Sequence, residues 1–139
     1  MTASSRARWI LAVLVVGAVY LATGLLFPAL AKSTASDHAR VAWRLSAWVI
    51  SAAAFAMHVG YECVRLRSST VATAVHASLA VALGSFALAI AAALHAWTGT
   101  TLGHFPTIAL AIWPVMTALP AFLVALATAG VIARIRRST

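Results

Sequence analysis

The chain holds two acids and five histidines in 139 residues. Four of these groups, His58, Glu62, His76 and His95, fall in or at the edge of long apolar runs. An ionisable side chain in such a run has to be compensated, which makes each of them a candidate for chemistry. Glu62 follows His58 by four residues, so on a helix the two share a face and the carboxylate can orient or pair the imidazole. His58 lies about six residues before a polar turn at Val64, and His76 about six after its end at Thr70, which in an antiparallel hairpin gives both rings one depth, roughly 9 Å inside the membrane.

Three chemistries fit this trio. Two imidazoles from neighbouring helices are the axial set of a b-type haem. Two histidines with a carboxylate suit a divalent metal such as zinc or iron. The same groups can carry protons, because imidazoles as a class titrate near neutrality and a carboxylate is tuned by burial. The plain alternative is that both rings pack near the interface and bond to backbone carbonyls or serines. A second, outer collection consists of His95, His104, His38 and Asp37, which would converge on a metal only if the outer loops fold together. A two-haem wire is disfavoured, since the 19-residue step from His76 to His95 turns the helix to about 100° off the first ring.

The elements that would position these groups follow from composition. Apolar residues make up 63 % of the chain and charged residues 9 %, against about 45–50 % and 25 % in soluble domains. So short a chain cannot hide that much apolar surface in one core, so a lipid bilayer has to solvate it. A single cysteine excludes a disulfide scaffold. Uncharged or nearly uncharged runs occupy about 9–30, 41–62, 71–97 and 107–133. The first, 22 residues long, gives about 33 Å of helix, enough for a hydrocarbon core of ~30 Å. The expected fold is therefore one all-α domain of four transmembrane helices in an up-down-up-down bundle.

Orientation follows the positive-inside bias. With both termini cytoplasmic, Arg6, Arg8, Arg65, Arg67, Arg134, Arg136 and Arg137 lie inside, leaving Lys32, Arg40 and Arg44 outside. The net charge of +8 is thus a topology signal, and a nucleic-acid partner is not expected. Ala29-Leu30-Ala31 after the first run resembles a secretory cleavage site, but the run exceeds the 7–15 residues of a signal core, so the span is expected to be retained. Trp9, Trp43 and Trp97 fall at span ends and read as interfacial anchors. Arg44 can snorkel outward beside Trp43.

In the fourth run Pro114 and Pro120 free the carbonyls of Leu110 and Met116, and Thr117 is a candidate partner for them. Gly17, Gly24, Ala80 and Gly84 offer small faces for tight packing or oligomerisation. The chain has no phosphate-cradling glycine loop, no cysteine pair and no H-E-x-x-H helix. These features favour a small multi-pass inner-membrane protein without a recognisable catalytic set, either a subunit of a larger membrane complex or a self-associating homo-oligomer. Two alternatives stay open: a haem b or metal protein using His58 and His76, and a proton-coupled transporter or channel using His58, Glu62, His76 and the kinked fourth helix.

Overall fold

The computed structural model describes residues 3–98 and 108–138. Among these there are four long helices and no strand: α1 (Ala3–Ser33), α2 (Asp37–Tyr61), α3 (Thr70–Thr98) and α4 (Ala109–Ser138). A short π-helical turn, Glu62–Leu66, prolongs α2. Each long helix is apolar and long enough to cross a membrane.

The helices overrun the apolar spans at their polar ends, so residues 34–36 alone separate α1 from α2. Hydropathy marks where lipid begins, whereas backbone hydrogen bonding continues into the interface for as long as caps allow. Here the hydroxyls of Ser33 and Thr34 donate to the Leu30 carbonyl. The Ser36 carbonyl accepts the Arg40 N–H, and Asp37 pairs with Arg40 at 2.8 Å in the first turn of α2, where an acid is favoured by the helix dipole.

Packing is set by small residues. Gly17 lies against Ala80 and Leu83, Gly24 against Leu88, and Gly84 against Tyr20 and the Gly17 carbonyl. Numbers therefore rise together along α1 and α3. Along α1 and α2 they run oppositely: the Tyr20 hydroxyl donates to the Ser51 carbonyl, while Phe27 meets Trp43 with ring centroids 6.0 Å apart. Ala74 and Ala77 of α3 share a core with Ala125 and Ala129 of α4, and Ser85 meets Thr117. In space α1 thus stands between α2 and α3, α3 lies along α4, and α2 and α4 barely meet. The glycine faces are engaged within the chain.

The buried apolar residues are mostly alanine, while Leu11, Leu26, Trp48, Met57, Trp97 and Met116 point outward. That is the inverse of a water-soluble protein, where large apolar side chains fill the core. A methyl group added at Gly60 or Gly130 meets nothing within 4 Å. Both glycines sit in helix interiors, so Gly60→Ala and Gly130→Ala are each expected to stabilise the fold by about 0.5–1 kcal/mol. A thermal midpoint in detergent that fails to rise would show that these faces are covered.

Candidate functional site

The site is built at the turn between α2 and α3. In the π-turn the Glu62 carbonyl accepts the N–H groups of both Arg67 and Ser68, and Arg67 takes left-handed backbone angles (φ 49°) that reverse the chain. Ser69 then caps α3: its hydroxyl oxygen accepts the Ala72 N–H at 3.2 Å. This tight connection swings the Ser68 hydroxyl back onto Glu62, where it donates to Oε2 at 2.6 Å.

Glu62 is wholly enclosed and is the largest fully buried side chain among the described residues. Its other oxygen, Oε1, lies 3.1 Å from Nδ1 of His76. The two atoms are at ion-pair distance without forming a hydrogen bond, so both keep unfilled hydrogen-bonding capacity. Trp9 of α1 lies flat on the His76 ring, with centroids 4.4 Å apart and planes 1° from parallel. His58, one turn before Glu62, is 3 % exposed. Neither of its ring nitrogens has a hydrogen-bond partner, and it is within electrostatic reach of both Glu62 and His76.

Below the polar groups sits an apolar floor of Val59, Cys63, Ala74, Ala77, Ala125 and Ala129. Arg136, near the end of α4, donates to the Cys63 carbonyl at 2.7 Å and ties the fourth helix to the π-turn. A cavity of about 330 Å³ opens beside His76, lined by Trp9, Arg67, Ser68 and Ser69 among others. A cleft of about 340 Å³ lies between α2 and α4, with Tyr20, Thr23, Ser51, Ser85 and Thr117 as its polar lining and Trp48 and Trp113 on its walls.

Several sequence expectations change here. Glu62 faces His76 across the turn and is held by Ser68, whereas the four-residue spacing had pointed it at His58. Trp9 covers an imidazole and is half-buried, so it is more than an interfacial anchor. Its position at the start of a span, at the same end as the His58–His76 pair, is the signal that was available. Nothing in the sequence marked Arg136 as a tie to Cys63. Thr117 does serve the backbone beside a proline, but its hydroxyl reaches the carbonyls of Trp113 and Pro114 and the Ser85 hydroxyl. The Leu110 carbonyl lies one turn further back.

In the outer set, Asp37 is held by Arg40, His38 and His95 are exposed, and His104 lies outside the described residues. Among the described residues no three His, Cys, Asp or Glu side chains are grouped to hold a metal ion. Chemically, the turn site sets a buried acid 3.1 Å from an imidazole nitrogen. Ser68 steadies the carboxylate form, and a second imidazole stands by. No protein-family model, curated protein or solved structure matches the chain.

Proposed function

We propose that the chain is a small multi-pass inner-membrane protein in which His58, Glu62 and His76 exchange a proton, and that it works as a proton-coupled transporter or channel. The observation that carries this reading is Glu62: a fully buried carboxyl group at the end of a membrane-spanning helix, 3.1 Å from a histidine nitrogen. Burying a charge without a partner is too costly to persist, and in this reading a proton moves between Glu62 and His76 as the pair closes to a hydrogen bond. That proton sits on Glu62 with His76 neutral, or on His76 with Glu62 ionised. Loading a second proton leaves a net positive charge in a low-dielectric site, and that change is what can drive a coupled movement.

In this reading the helices run up-down-up-down with both termini in the cytoplasm. The opposed pairings of α1 with α2 and of α3 with α4 support it, as does the arginine distribution. The cavity beside His76 then faces the cytoplasm and supplies protons, while the cleft between α2 and α4 is lined almost wholly by apolar surface. Self-association, or a place in a larger complex, is the second reading. It is favoured by that same cleft, which α2 and α4 leave unclosed and which a partner helix would fill.

The test is proton flux into liposomes holding a pH-sensitive dye. Wild type is expected to acidify the lumen under an imposed gradient, and Glu62→Gln to abolish this while keeping its helicity and monodispersity. Absence of flux in the wild type, or equal flux in the variant, would overturn the proposal.

A further inference from the structure

Between α1 and α2 runs a groove of about 510 Å³. Its walls are apolar, with Leu11, Val15 and Val19 on one side and Ile50, Ala53 and Met57 on the other. One end is different: Arg8, His58 and Tyr61 line it. Arg8 is exposed and forms no ion pair among the described residues. His58 is buried, and both its nitrogens are closed off from the groove. An exposed guanidinium beside a phenol at the head of an apolar slot marks a place for an anionic headgroup.

We infer that this groove binds one anionic phospholipid from the leaflet in which Arg8 sits. From Leu11 to Val19 the slot follows about 12 Å of helix, most of the ~15 Å that one leaflet contributes to the hydrocarbon core. One acyl chain lies in it. The phosphodiester meets the Arg8 guanidinium, whose planar fork matches phosphate oxygens, and the Tyr61 hydroxyl. The long Arg8 side chain reaches out to the headgroup level while its helix position stays near that of His58, since the next residue, Trp9, stacks at the depth of the cluster. A neutral or zwitterionic headgroup gains less from this end, because Arg8 makes the mouth of the groove cationic. The proposal is independent of proton exchange, since it needs only the groove and its polar head.

The experiment is native mass spectrometry of the delipidated full chain, titrated with phosphatidylglycerol, phosphatidylcholine or oleate. Wild type is expected to retain one phosphatidylglycerol about tenfold (~1.4 kcal/mol) more tightly than phosphatidylcholine. Arg8→Gln brings the two lipids to parity. Val15→Trp fills the slot from an exposed wall position that does not disturb the core, and weakens both. Arg65→Gln, outside the groove, leaves the preference intact. Equal binding of the two phospholipids by wild type, or an undiminished preference in Arg8→Gln, overturns the inference. Oleate binding as tight as phosphatidylglycerol overturns it in favour of a fatty-acid site.

Discussion

Glu62→Ala is expected to destabilise the folded protein by about 3–5 kcal/mol, the range found when one partner of a buried pair is removed. The loss has three parts in this structure. The Ser68 hydroxyl loses its acceptor, the His76 nitrogen loses the carboxylate beside it, and a cavity opens beneath a turn held on both sides by the same residue. Glu62→Gln is expected to be far milder, because the amide oxygen still accepts from Ser68 and the amide nitrogen can donate to His76. Unfolding in mixed detergent and denaturant, followed by tryptophan fluorescence, separates the two variants. If alanine unfolds at the same midpoint as glutamine, the carboxylate is not holding the turn. This measurement is also the control for the flux experiment, since it shows whether Glu62→Gln removes a proton site or a structure.

The second large effect is expected at Gly84. A methyl group there would lie 2.6 Å from Cβ of Tyr20 and 3.0 Å from the Gly17 carbonyl oxygen, so α1 and α3 have to move apart. Neither obstacle is a flexible side-chain tip. Overpacking of this kind costs about 1–3 kcal/mol, and Gly84→Leu is expected to separate the two helices altogether. Gly24 makes a sharper comparison than any surface site. Its added methyl would lie 2.5 Å from Leu88, but from the end of a side chain that can rotate away. Gly24→Ala is therefore expected to be the milder change. Thermal midpoints of the two alanine variants decide it. Equal losses would mean that the α1–α3 seam is less rigid than its contacts imply.

The four spans were legible because hydropathy over twenty residues is a strong signal, and the helix at Val71–Trp97 could hardly be read otherwise. The grouping of His58, Glu62 and His76 was legible from depth alone. What depth does not give is rotation. Glu62 keeps the helical spacing from His58, its N–H still reaching the His58 carbonyl, and it meets His76 because the π-turn after it and the left-handed Arg67 fold the start of α3 back onto it. Trp9 on His76 and Arg136 on Cys63 depend on which helices become neighbours, and α1 lies beside α3 because of glycine contacts that a chain rich in alanine makes hard to single out. The small residues were readable as packing faces. That they would be used inside the chain was not.

The neighbour order in space, α2–α1–α3–α4, differs from the order of synthesis. A ribosome-bound chain can pair α1 with α2 as soon as the first hairpin is inserted. The glycine side of α1 must then wait for α3, which arrives parallel to it and closes the carboxylate pocket as it docks. Arg136, in the final turn of α4, makes its bond to the π-turn only after α4 itself is in place. The cluster is therefore assembled from α1, the α2–α3 turn and α4, which arrive in separate steps. Until the last of them is in place, the buried acid sits in an unfinished chamber, a state that membrane quality-control proteases are well suited to detect.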